Sequence, residues 1–251
     1  LYKLAGGCIV SRNVRVFGLG ESAMETILHD MMASMKNPTI APYAKTSECF
    51  ARVTAKADTP EQAEQMLEPV VEQVVSMLGD SVYGVDVDSL EQVVGDGLRE
   101  RGMTLAVAES CTGGLLSKRI TDLPGASEYY KGGVCSYANE VKVKVLGVSE
   151  QTLAEKGAVS PEVAEQMARG VMELMGTDFG VGITGVAGPG GGTEEKPVGL
   201  VYISVCLRGV CHTREMRSSL GRDRVRNQAA STALDLVRRL LPEGQCDQKG
   251  R

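Results

Sequence analysis

The sequence predicts a layered α/β domain preceded by a smaller α+β domain, and three observations carry that expectation. From about residue 87 onward helical and strand-like patterns alternate over ~150 residues, the order that builds a sheet with helices on both faces. Met103–Ala108 is a short, nearly all-apolar segment of the kind buried on both sides within such a sheet. Residues 1–86 read β-α-β-α-β and hold no cluster of chemistry-bearing side chains.

Taken in order, Val14–Phe17 has strand character, and "GLGES" turns into a helix. Ser22 and Glu25 make an S-x-x-E capping box for it, with Ile27, Leu28, Met31 and Met32 on one side. "NPTIAPYAK" is expected to be a connection broken by its prolines. Cys49–Ala55 alternates as a strand. A helix opens at Thr59 as N-cap, with Pro60 behind it, and closes at Gly79 before a short strand at Val82–Val85.

"DVDSLEQ" starts the second domain, with Ser89 and Gln92 as another capping box and Gly102 ending the helix. After Met103–Ala108 comes "ESCTGG" and a helix carrying Leu115, Leu116 and Ile120. Gly133–Tyr137 reads as strand, Asn139 and Ser149 as caps of short helices, and Ser160-Pro161 as the start of a longer one ending at Gly176. Phe179–Thr184 is strand, followed by the loop "GVAGPGGGTEEKPVG". Leu200–Leu207 and Val210–Met216 form a hairpin about Arg208-Gly209, and an amphipathic helix closes the domain from about Arg222 to Leu241. Residues 243–251 are expected to be a disordered tail.

Composition narrows the function. The chain has 251 residues, 43% apolar and 24% charged. No stretch approaches the ~20 apolar residues of a membrane span, and Leu1–Val10 lacks the form of a signal peptide. A net charge of −5 and 4% aromatics without Trp argue against general nucleic-acid binding. Cys8, Cys49, Cys111, Cys135, Cys206, Cys211 and Cys246 show no C-x-x-C pair and read as reduced thiols of a cytoplasmic protein. His29 and His212 stand far apart in the chain, so a histidine-rich metal site is not expected.

Chemistry concentrates around "AVAESCTGG", residues 106–114. Ser110 falls between a buried strand and a helix, at the carboxyl edge of the sheet where open α/β sheets bind ligands. The following amides, of Cys111, Thr112 and Gly113, would begin the helix and favour an anion or a developing oxyanion. Ser and Thr are also common helix caps, so the residues alone leave Ser110 as cap or nucleophile. A nucleophile needs a base, and either His212 or Lys142, neutral if buried, is a candidate. Cys111 is a rival nucleophile. The glycine-rich loop lacks the Gly-Lys-Ser/Thr of a P-loop, but its first residues could line a pocket, and Arg222 or Arg226 could meet a phosphate.

"AESCTGG", "YANEVK", "GAVSPEVAEQMA", "GITGVAGPGGGTEEKPVG" and "RDRVRNQA", in this order and spacing, resemble the CinA C-terminal family, the nicotinamide-nucleotide amidohydrolase domain, over about residues 88–241. "RVFGLGES", "NPTIAPYA" and "LGDSVYG" resemble the middle, KH-like domain of the same proteins. The resemblance implies domains at 1–86 and 87–242, with the preceding molybdopterin-binding-like domain absent, so that with no initiator Met the chain looks like the C-terminal part of a CinA protein. It further implies hydrolysis of the carboxamide of nicotinamide mononucleotide to nicotinic acid mononucleotide and ammonia, in pyridine nucleotide salvage. The family's catalytic Ser, Tyr and Lys fall on Ser110, Tyr137 and Lys142. Substrate contacts are expected at Thr112, Gly113, Gly114, Thr184, Gly185, Gly188, Gly190, Gly191 and Arg222, with no metal or cofactor. A homodimer or larger oligomer is implied. The alternative is a module without turnover that binds partners in competence or DNA-damage responses.

Overall fold

The computed structural model describes residues 7–44 and 49–241, so the tail expected at 243–251 lies outside the described residues. The chain divides into two compact units at Ser89–Leu90.

The first unit runs β1 (Cys8–Val16), α1 (Glu21–Ser34), β2 (Thr39–Ala44), β3 (Cys49–Ala57), α2 (Pro60–Leu78) and β4 (Val82–Val85). Its sheet has the order β2-β3-β1-β4 and is antiparallel throughout, the split βαβ arrangement. Alternate residues Val14, Val16, Ala51 and Val53 meet Met24 and Leu28 of α1 and Leu67 and Val74 of α2 in one core. The segment expected to be a proline-broken connection is strand β2. It lies at the sheet edge, where the N–H that Pro42 lacks has no ladder to complete on one side. The capping box expected at Ser22 is not formed, because α1 starts two residues earlier, with Gly20 as N-cap and no side-chain cap. Thr59 does cap α2, accepting from the Gln62 amide, with Pro60 at the first position.

The second unit contains α3 (Leu90–Glu100), β5 (Leu105–Glu109), α4 (Leu115–Thr121), β6 (Tyr130–Cys135), α5 (Asn139–Leu146), α6 (Glu150–Lys156), α7 (Pro161–Met175), β7 (Phe179–Gly185), β8 (Leu200–Leu207), β9 (Val210–Arg217) and α8 (Arg222–Leu240). The sheet order is β6-β5-β7-β8-β9, with β6, β5 and β7 parallel and the hairpin β8–β9 antiparallel. Helix α7 packs on one face with α5 and α6 against it, and α3, α4 and α8 pack together on the other. Every residue of β5 is buried, as a central strand covered on both faces requires. Ser149 and Ser160 cap α6 and α7 as expected, whereas Ala138 rather than Asn139 is the N-cap of α5. Arg208 and Gly209 both take positive φ, the turn that matches strand twist in a two-residue hairpin. That turn sets Cys206 directly opposite Cys211, and the two are disulfide-bonded. This corrects the expectation of seven reduced thiols: it is the strand register of the hairpin, which the absence of a C-x-x-C pair does not report, that brings these two together. Among the described residues no helix is long and apolar enough to cross a membrane.

Glycines let helix α7 approach strand β7 closely. A Cβ on Gly180 or Gly182 of β7 would run into the carbonyl oxygens of Ala168 or Ala164, so the α7 backbone lies directly on the strand. Gly182→Ala should therefore destabilise the protein by about 3 kcal/mol, the overpacking range, in urea melts. Gly190→Ala, whose new methyl would meet nothing within 4 Å, should change stability by less than about 0.5 kcal/mol.

Candidate active site

Ser110 follows the last residue of β5, and its amide donates to the Ile183 carbonyl of β7 at 2.9 Å, extending the ladder by one position. On the other side the Ser136 amide donates to the Glu109 carbonyl at 2.8 Å. The hydroxyl thus sits at the carboxyl edge of the sheet between two parallel neighbours. Gly113 and Gly114 then take φ of 59° and 90°, a left-handed pair that costs glycine little, and this turn delays α4 until Leu115. Ser110 is not the helix cap: the N-cap is Gly114, and no side chain caps it. The Gly113 amide, expected to be free for an anion, donates to the Ser110 carbonyl at 3.1 Å.

Lys142 comes from the first turns of α5 and is 1% exposed. Its Nζ lies 3.1 Å from Ser110 Oγ and 2.6 Å from the Ser136 carbonyl, with the Tyr137 carbonyl at 3.5 Å. Among the described residues no carboxylate lies within ion-pair distance of it. Burial therefore pulls the Lys142 pKa below the ordinary 10.5, and the thiols of Cys111 and Cys135 offset this only in part. Once deprotonated, this amine would offer a lone pair to the Ser110 proton while donating to the backbone carbonyls.

The rivals fall away on geometry and charge. Cys111 is buried and its thiol pKa is pushed up to about 11, chiefly by burial, so at neutral pH it is a protonated apolar-like side chain. His212 lies on β9, with β7 and β8 between it and β5, out of reach of Ser110.

A cavity of about 260 Å³ opens over Ser110 and Lys142. Of the residues expected to contact substrate, Thr184, Gly185, Gly188, Gly190, Gly191 and Arg222 line its wall. Thr112, Gly113 and Gly114 do not. Thr112 is fully buried, and its carbonyl accepts two hydrogen bonds from the Arg226 guanidinium at 2.6 and 3.2 Å. These three residues shape the turn rather than the pocket. Thr184 reaches the wall although its hydroxyl donates to the Ala158 carbonyl at 2.7 Å. Tyr137 is 63% exposed on the rim, and its hydroxyl is 3.5 Å from Arg222, which also donates to the Gly188 carbonyl at 2.7 Å. It meets Lys142 through its backbone, so its phenol is not interposed between Lys142 and Ser110. Asn139, Ala158 and Val159 also line the cavity and are not among the expected site residues. Their signal was present, since they lie within "YANEVK" and "GAVSPEVAEQMA".

Comparison with known proteins agrees in extent with this architecture. The sequence model described as the CinA C-terminal domain matches residues 87–241, and that of the damage-inducible protein CinA KH domain matches residues 11–84. A CinA-like protein of Desulfovibrio desulfuricans is 53% identical over 242 residues, covering 95% of this chain and 57% of its own length. One from Dictyoglomus thermophilum is 49% identical over 241 residues, covering 96% and 59% respectively. The chain thus spans less than three fifths of the length of these curated relatives. Among solved structures, the competence/damage inducible protein CihA of Agrobacterium tumefaciens superposes with a TM-score of 0.58 at 39% identity, over 59% of this chain and 91% of its own. A CinA superfamily protein of Klebsiella pneumoniae gives a TM-score of 0.59 at 32% identity, over 61% and 98%. The match over residues 87–241 takes in every side chain of the site, from Ser110 to Arg222, and the chain belongs to the CinA family.

Proposed function

We propose that the second unit is a serine–lysine amidohydrolase that converts nicotinamide mononucleotide to nicotinic acid mononucleotide and ammonia. The observation that carries this reading is the buried Lys142 amine 3.1 Å from Ser110 Oγ, with no carboxylate within ion-pair distance among the described residues. The family resemblance of the motifs supplies the substrate class.

In this scheme neutral Lys142 takes the Ser110 proton as Oγ attacks the carboxamide carbon. Amides following the nucleophile, those of Cys111 and Thr112, would donate to the oxyanion. Lys142 returns the proton to the departing nitrogen, so ammonia leaves and an acyl-enzyme remains. Water then attacks the ester, Lys142 takes its proton and gives it back to Ser110, and the acid is released. Arg222, on the cavity rim, suits the phosphate of a nucleotide, with Tyr137 beside it as a wall for the ring or ribose.

The alternative is that the unit binds partners without turnover; the relatives' names speak of competence and damage induction. A folded wild type that releases no ammonia from nicotinamide mononucleotide would transfer the conclusion to that reading.

Ser110→Ala should reduce ammonia release by at least ~10³-fold, and Lys142→Arg by a similar factor because a guanidinium stays protonated. Stability of Ser110→Ala should stay within about 1 kcal/mol of wild type by denaturant titration, since Ser110 caps no helix. Arg222→Ala should raise KM about tenfold and leave kcat nearly unchanged, the pattern of lost uniform binding.

The pH dependence follows from the lowered Lys142 pKa. Activity should rise with pH along a limb whose midpoint lies below 10.5. In the window between that midpoint and 10.5 the unfolded chain binds the extra proton. Stability should therefore increase as pH rises through the window and be lower on its acid side. Melting temperatures of wild type and Lys142→Met across that range test this, the variant showing the shallower slope.

A further inference from the structure

Glu109 is a buried carboxylate for which the hydrolytic scheme has no use. It ends β5 immediately before Ser110, is 1% exposed, and by strand alternation points to the opposite face. Among the described residues no Lys or Arg pairs with it. Its oxygens instead accept from the Leu116 amide at 3.0 Å, the Ser117 amide at 2.8 Å and the Ser117 hydroxyl at 2.7 Å. Those amides belong to the first turn of α4, whose N-cap Gly114 has no side chain to offer.

A carboxylate buried without a cation is an expensive way to satisfy two amides, because Ser or Asp at the N-cap does so at the surface. That cheaper solution is closed here. The N-cap position has φ of 90°, which a side chain rarely tolerates, and the left-handed turn at Gly113 and Gly114 is what separates Ser110 from the helix. Capping is therefore supplied from the strand side, across the turn that carries the nucleophile. From the other side Arg226 holds the Thr112 carbonyl.

We propose that Glu109 is a positioning residue for Ser110, its carboxylate clamping the first turn of α4 to the end of β5 and so fixing Ser110 Oγ against Lys142 Nζ. The proposal rests on Ser110 being the nucleophile. Both carboxylate oxygens are engaged, so Gln cannot substitute: its amide group would set an N–H against a backbone N–H.

The test compares wild type and Glu109→Gln at a temperature where both are folded. Three quantities are measured: labelling of Ser110 by a fluorophosphonate, ammonia release from nicotinamide mononucleotide, and thermal melting. Labelling and kcat should each fall about 30-fold with KM within about threefold, the signature of a displaced nucleophile rather than a lost binding contact. A variant that melts earlier but labels at the wild-type rate would show a purely structural role and overturn the proposal. If Glu109→Gln does not fold, Ser117→Ala removes one donor to the same oxygen. A fall in labelling of about threefold at unchanged melting temperature supports the clamp, and an unchanged rate overturns it. Wild type that labels but releases no ammonia would defeat the amidohydrolase reading, while Glu109 would still be judged by labelling. Wild type that takes no label overturns both.

Discussion

Desolvation of the Lys142 amine is the constraint on which the arrangement of the second unit depends. A lysine folded into a protein interior without a carboxylate must either lose its proton or find carbonyl oxygens, and Lys142 is placed to do both. The carbonyls come from Ser136 and Tyr137, which leave the sheet after β6 and lead directly into the helix bearing Lys142. The amine is thereby held over the end of the neighbouring strand, where Ser110 projects. Moving either strand by one residue would break the contact, because the side-chain alternation of a sheet leaves no intermediate position.

Close packing makes that register rigid. Gly180 and Gly182 let α7 lie against β7, the strand whose Ile183 carbonyl receives the Ser110 amide. Residues after the same strand form one wall of the cavity, and Ala158 and Val159, just before α7, form another part. Packing energy in the interior of the domain is thus coupled to the geometry of a pocket at its edge. The turn at 110–114 is bounded on one side by Glu109 and on the other by Arg226. A nucleophile at a sheet edge needs such fixed surroundings, since its reach toward the base is set by backbone atoms rather than by a flexible side chain.

The first unit is built by different means. Its antiparallel sheet carries one apolar face under two helices, and the residues that make it are spaced by two along each strand. Arg12 is drawn into an ion pair with Glu64 at 2.9 Å and bonded to Asp86 as well, tying β1 to α2 and to the segment after β4. On other alternate positions Tyr43 and Phe50 stack with ring centroids 5.1 Å apart, and Arg52 lies over both rings. These contacts hold the small sheet together across β2 and β3.

What the sequence by itself determined was local and periodic. The apolar run of β5, the Thr59, Ser149 and Ser160 caps, the hairpin at Arg208-Gly209 and the motif order from "AESCTGG" to "RDRVRNQA" were all legible, because each depends on neighbours a few positions away. Strand β2 was not, because a proline is tolerated there only through the edge position that sheet assembly assigns. The roles of Ser110 and Thr112 were open for a similar reason: a serine or threonine before a helix looks like a cap until the left-handed glycines move the helix start beyond it. Tertiary structure alone decided that Lys142 loses its water and reaches Ser110, that Tyr137 turns to the rim beside Arg222, and that Glu109 closes the helix from behind. Burial and through-space contact are properties of the packed chain, and no spacing along the sequence specifies how much water a side chain has left.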